Sequence, residues 1–423
     1  MLAKPPGGEA DPAPGDGGLR PSGDSGLRRG EAGLDWLNFF TANLQTAFGP
    51  FISVYLTQRA WTQSDIGLIL GAGYAASMVS QIPAGLLVDA MPRKTVAAAA
   101  AILAIIGGAL ALALFPASLP VMAAEISHGF ASCMLGPAIA AISLSMAARA
   151  RRPAGERFGR NARYASIGNG VAAGLMAVVG DVLGARAVFL LGAAMAVPGL
   201  FALRLIAAVP LRAGRAMPGS FTPPPVRAKL VALVLDRRLL WFAAVCAAFT
   251  LSNAAMLPLA ASGATSSLGN RASLLIGACI VGPQMIVALL SPAFGRLAER
   301  RGRRPVLVAG MMALPVRGLA LAAIAGHPTL VIWALIPVQL LDGISGAAFG
   351  VLVPLIASDI TRGTGRFNVV MGLLGLAIGA AAASSTFIGG MLADHELRGA
   401  FEALAAAGAL GVVLAWRMPE TRA

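Results

Sequence analysis

Charge is scarce in this chain: charged side chains make up only 12% of its 423 residues, against 57% hydrophobic. Soluble domains carry about 25% charged residues, so this composition argues against a chain that keeps its whole surface in water. Aromatic residues with polar handles are few, three tyrosines and five tryptophans, whereas a single-stranded nucleic-acid groove needs aromatic stacking partners along a basic face. The formal charge of +14 and the pI near 11.2 therefore do not mark a nucleic-acid binder, because the basic residues sit in short gaps between apolar runs. Cysteine is rare too. Cys133, Cys246 and Cys279 form no close pair, which suggests neither a disulfide framework nor a thiolate metal site and leaves small core hydrophobes. The lysines are Lys4, Lys94 and Lys229, none preceded by glycine, so no phosphate-cradling Gly-Lys loop supports ATP drive. No cluster of His, Cys, Ser and acid stands at catalytic spacing, and the chain does not read as an enzyme; no cofactor is implied.

What the sequence does have is long apolar runs, laid end to end, with a mean hydropathy of +0.76. About 20 apolar residues cross a bilayer as a helix, and reading the runs between charged or Gly/Pro punctuation predicts spans at 34-58, 63-88, 95-115, 119-147, 161-181, 186-207, 239-260, 271-295, 305-326, 328-357, 367-391 and 398-417. The expected fold class is all-α integral membrane, with about twelve transmembrane helices in two six-helix bundles. Residues 1-33, rich in Gly, Pro and charge and without an apolar stretch or cleavage signature, read as a disordered cytoplasmic tail. The first bundle is expected over 34-207, a linker over 208-238 holding Pro210, Pro218 and the triplet Pro223 to Pro225, the second bundle over 239-418, and a short tail over 419-423.

Orientation follows from retention of Lys and Arg on the cytoplasmic side. Alternate gaps hold Arg28 and Arg29, then Arg93 and Lys94, then Arg149, Arg151, Arg152, Arg157, Arg160 and Arg163; after the linker come Arg300, Arg301, Arg303 and Arg304, then Arg362 and Arg366, then Arg417 and Arg422. The opposite gaps hold only Arg59, Arg186, Arg271 and Arg398. Both termini are therefore expected in the cytoplasm. The halves also repeat: Gly85 to Asp89 with Arg93-Lys94 answers Gly295 to Glu299 with Arg303-Arg304, His128-Gly129 with Gly136 answers Asp342-Gly343 with Gly350, and Gly159-Arg160-Asn161 answers Gly365-Arg366-Phe367-Asn368.

These residues resemble the major facilitator superfamily, whose signature between helices two and three reads roughly Gly-x-Leu-Ala-Asp-Arg-x-Gly-Arg-Lys. Gly295, Glu299, Arg300, Gly302, Arg303 and Arg304 follow it in register, and Gly85, Asp89, Arg93 and Lys94 keep a poorer copy with Ala90 and Pro92 in place of its Arg and Gly. The resemblance implies that this motif latches the cytoplasmic side of the two halves in the outward-open state. Acids facing paired basic groups in a tight turn suit that task, because charge-assisted hydrogen bonds rearrange when the halves rock. For any single Arg, the positive-inside rule is explanation enough. The Gly-Pro pattern that the family's antiporters carry in helix five is not clearly present: Gly168, Gly170 and Gly174 are there without the proline.

A charge at mid-bilayer costs on the order of 3 kcal/mol, so ionisable residues inside spans are informative. Glu125 and His128 stand three apart on one helix face; Asp342 lies at the repeat position of His128, and Arg317 lies in span nine. One reading has Asp342, with Glu125 and His128, carry protons or contact a polar substrate; the other has Asp342 and Arg317 form a buried ion pair and leaves Glu125 shallow enough to meet water. Glu125-x-x-His128 looks like half of a bundle-type metal site, but the other histidines, His327 and His395, fall in predicted loops, so no metal is expected. Asn38, Asn43 and Asn253 lie on spans that, by the resemblance, line the central cavity. The expected protein is a secondary active transporter that moves a small solute by proton-coupled uptake, in the bilayer of a bacterial inner membrane, as a monomer and with no nucleic-acid partner. Efflux of amphipathic compounds and a non-transporting membrane sensor are the alternatives.

Overall fold

Among the described residues, twelve long helices stand where the apolar runs predict spans. In chain order they are α1 Ser22–Ala47, α2 Gln63–Ala90, α3 Lys94–Leu114, α4 Ser118–Arg149, α5 Ala154–Leu183, α6 Ala185–Ala207, α7 Arg237–Asn253, α8 Ala272–Arg301, α9 Arg303–Ile324, α10 Pro328–Ile360, α11 Phe367–His395 and α12 Leu397–Arg417. The structure, a computed structural model, describes residues 22–47, 52, 55, 56, 59, 61, 63–209, 236–260, 272–325 and 327–422. The linker expected over 208-238 therefore lies largely outside the described residues. No strand occurs among those described.

The ends differ from the expected spans mostly by a few residues, and α1 is the largest departure. It begins at Ser22, twelve residues before the apolar run that opens at Leu34, because Arg28, Arg29 and Glu31 are tolerated on a helix whose apolar face starts only one turn later. Among the described residues, nine helices are long and apolar enough to cross a membrane; α1, α2 and α5 are not among them. Prolines sit inside several helices, including Pro83, Pro137, Pro283 and Pro354, as membrane helices allow when neighbours take up the freed carbonyls.

One hydrophobic core is built from the first half of the chain, around residues such as Leu37, Ile102, Ile105, Leu135 and Phe189. A second is built mainly from the last six, around Phe242, Leu314, Leu352 and Leu374. Inside the first half, α1 packs on α5 and α6, and α4 on α2 and α3; inside the second, α12 packs on α7 and α9, and α10 on α8 and α9. The halves meet through α5 with α8 and α2 with α11. These seams run backbone on backbone. A Cβ placed on Gly295 would strike the carbonyl oxygen of Gly155, and one on Gly85 that of Asn368, so glycine is required at both positions for close approach. All three cysteines are buried.

Candidate functional site

The two seams converge at the end of the molecule that carries most of the arginines. There α5 and α11 begin without a side-chain cap of their own, since Pro153 and Arg366 occupy their N-cap positions. The first N–H groups of a helix lack intrahelical partners and carry partial positive charge, so they need an acceptor from elsewhere. Each receives a carboxylate from the opposite half. Asp89, at the end of α2, accepts from the backbone N–H of Val369 at 3.1 Å and of Asn368 at 3.3 Å, and from the Asn368 side-chain amide. Glu299, near the end of α8, accepts from the backbone N–H of Gly155 at 2.7 Å.

A carboxylate at a helix C-terminus opposes the macrodipole, and a basic residue offsets this in each copy. The Lys94 ammonium donates to the carbonyls of Val88, Asp89 and Met91 at 2.6, 3.0 and 2.8 Å, closing the end of α2. Arg303 donates to the Ala298 carbonyl at 2.7 Å, to Glu299 at 3.1 Å and to Asp359 at 3.0 Å. The turns differ. Gly302 has φ +100°, a conformation that Pro92 at the matching place of the first half cannot adopt. Arg93 and Arg300 are exposed, and Arg304 contributes its backbone N–H.

That last donor reveals a contact the sequence reading did not anticipate. Glu420 accepts from the backbone N–H of Arg303 at 2.8 Å and of Arg304 at 3.1 Å, capping α9, whose own N-cap Gly302 has no side chain. Burial pushes the Glu420 carboxyl up, but these N–H groups with those of Arg422 and Thr421 outweigh it and hold its pKa below the ordinary value. Arg422 completes the clasp by donating to the Arg300 carbonyl at 2.7 Å.

Between the halves lies a cavity of about 570 Å³. Its walls are largely apolar, with Phe249 of α7 and Phe349 of α10 stacked at 3.7 Å between ring centroids. Asn38, Asn161, Ser166, Thr250 and Gln284 supply polar groups. Asn38 donates its amide to the Leu34 carbonyl of its own helix at 2.7 Å. The side chain of Asn43 lies outside the described residues.

The ionisable residues predicted from the spans divide into separate groups. Arg317 is 1% exposed and donates to Asp342 at 2.9 Å, to Gln339 and to Asn253, which ties α9 to α10 and α7. The ion pair expected as the structural reading of Asp342 and Arg317 is thus formed, though the Asp342 side chain keeps 29% exposure. Glu125 does not meet water: it is 5% exposed, its Oε1 has no hydrogen-bond partner among the described residues, and it lies against Gly73 of α2. His128 faces Ser132 at 3.2 Å.

Asp35 was missed by the sequence reading. It is 2% exposed and pairs with both Arg157 and Arg160 of α5. Arg157 in turn donates to Asn161 at 2.8 Å, and Asn161 to Ser143 at 2.6 Å, so a polar chain runs from α1 through α5 to α4. The available signal was an acid beside Trp36 inside a predicted span.

Twelve helices among the described residues, in two halves that cross-cap each other around a central cavity, have the architecture of a membrane transporter. The MFS_1 like family matches residues 34–403, and the chain belongs to that family; it is a multi-pass membrane protein. It is 34% identical over 400 residues to an uncharacterised MFS-type transporter of Mycobacterium tuberculosis, spanning 92% of this chain and 93% of that one. A stretch of 126 residues, 30% of each chain, is 32% identical to the class C tetracycline resistance protein of Escherichia coli. The fold is similar to that of the Escherichia coli fucose:proton symporter, with a TM-score of 0.73, 16% identity, and 92% of this chain and 98% of that one covered.

Proposed function

We propose that this chain is a secondary active transporter that carries a small organic solute through the cavity between its halves, with proton-coupled uptake as its direction and drive. The basic end faces the cytoplasm of a bacterial cell, both termini lie there, and the outward-facing state is the one described above. The observation that carries the reading is the pair of reciprocal caps, Asp89 on α11 and Glu299 on α5. They join the halves at one end through hydrogen bonds, mostly to backbone N–H groups, which can be made and broken without unfolding either bundle. Gly85 and Gly295 give these contacts their close geometry, and Lys94 and Arg303 brace them.

Asp342 is the residue proposed to couple protons. Its side chain contacts Arg317 at 2.9 Å and keeps partial exposure, which leaves a route for a proton or a polar substrate group; loss of that contact would leave Arg317 with Asn253 and Gln339 alone. Glu125 and His128 are secondary candidates. In sealed vesicles holding purified protein, Asp342→Asn is expected to abolish accumulation against a gradient while sparing solute exchange and protein level. Undiminished accumulation would remove the proton role, and binding without any flux would make the protein a sensor.

A second reading, efflux of amphipathic compounds, draws on the partial similarity to the tetracycline resistance protein and on the apolar walls of the cavity with the Phe249–Phe349 stack. Drug accumulation in cells with and without the chain discriminates: uptake raises it and efflux lowers it.

A further inference from the structure

A second pocket, of about 340 Å³, opens at the basic end and is walled by both halves, with Glu31 of α1, a stretch of α5, and Pro292 and Arg296 of α8. Arg152, Arg157, Arg160, Arg163 and Arg296 line it, against the acids Glu31 and Glu156. Asp35 lies behind Arg157 and Arg160, so five guanidiniums face three carboxylates and leave a surplus of two positive charges. Arg157 is only 5% exposed, yet its Nη1 has no hydrogen-bond partner among the described residues. A buried guanidinium N–H without an acceptor is costly, and here it belongs to a residue on the wall of an open, positively charged pocket. Arg163 and Arg296, both exposed, make no ion pair among the described residues. The Tyr164 hydroxyl adds a further donor to the same wall.

We propose that this pocket binds a phosphate-bearing anion, which Arg157, Arg163 and Arg296 hold through charge-assisted, fork-shaped hydrogen bonds. A phosphate group offers several acceptor oxygens in that geometry, whether it is a free cytosolic phosphate or the headgroup of an anionic phospholipid. Because Arg157 and Arg163 stand on α5 and Arg296 on α8, the bound anion bridges the halves across the same seam that Glu299 closes. Resting on the alternating-access reading, the second part of the proposal is that the anion favours the conformation in which the basic ends are packed together, and so slows opening to the cytoplasm. The site lies apart from the central cavity, and its ligand is a regulator and not the transported solute.

The test uses the full chain purified in uncharged detergent and read by equilibrium dialysis of radiolabelled inorganic phosphate and by thermal unfolding, neither of which requires solute flux. Saturable binding is expected, at least tenfold weaker in Arg296→Gln and in Arg163→Gln, and unchanged in Arg398→Gln. In parallel, the protein is reconstituted in phosphatidylcholine vesicles with and without phosphatidylglycerol. Stabilisation by phosphatidylglycerol that Arg296→Gln removes, with no response to free phosphate, assigns the site to the headgroup. No response to either probe, or a response that survives both substitutions, overturns the proposal. Spin labels on the ends of α5 and α8 then report the bridging: binding with no increase in the packed population overturns the regulatory part while leaving the transport reading untouched.

Discussion

Glu299 and Gly155 belong to different halves of the chain, and the carboxylate of one accepts the backbone N–H of the other at 2.7 Å. Asp89 makes the corresponding contact with Val369. Two helices that cannot cap themselves are thus completed by their opposite numbers, so part of the helical stability of α5 and α11 depends on how the halves are arranged.

Asp89→Ala and Glu299→Ala are each expected to remove a helix cap, which costs about 1 kcal/mol. This corresponds to about a fivefold shift away from the packed state, and distant sites of this kind add. Spin-label distances between the ends of α2 and α11 and between those of α5 and α8 check it; a double variant that shifts no more than either single one would contradict independent caps.

Gly295→Ala puts a methyl group against the Gly155 carbonyl, and overpacking of this kind costs about 1–3 kcal/mol. Transport is expected to fall while the amount of membrane-inserted protein holds. Gly107→Ala, where an added Cβ meets nothing within 4 Å, is the matched control and is expected to leave transport unchanged.

Asp342→Ala is expected to destabilise the purified protein by about 3 kcal/mol, the lower end for removing one member of a buried pair, because Arg317 is 1% exposed and keeps only Asn253 and Gln339. The variant lacking both charges, Asp342→Ala with Arg317→Leu, is expected to recover much of that loss in thermal unfolding. A double variant less stable than either single one would mean that the pair is not the reason Asp342 matters to stability.

Glu420 gives the pH dependence. Its folded-state pKa is depressed, so its contribution is fully present above the unfolded value, roughly pH 4.3, and is lost as pH falls through the lower folded value. Protease accessibility of the C-terminal segment is expected to rise through that acid window in the wild type and to be high at all pH values in Glu420→Ala.

Helix positions were legible because an apolar run of bilayer length has few other fates, and the repeated motif singled out Gly85, Asp89, Gly295 and Glu299, which stand where the halves touch. Less legible was what those acids touch. Asp89 meets Asn368 across 279 residues of sequence and Glu299 meets Gly155 across 144, and a local motif names a donor or an acceptor without naming its mate. Asp35 escaped for a related reason: its guanidinium partners Arg157 and Arg160 read as loop charges obeying the positive-inside rule, whereas α5 in fact starts at Ala154 and carries them inward.

The shielding of Cys133, Cys246 and Cys279 makes the molecule nearly silent to thiol reagents in this conformation. A single cysteine introduced on an exposed loop would then report its own side of the bilayer to an impermeant maleimide, without first stripping the native sulfhydryls from the chain.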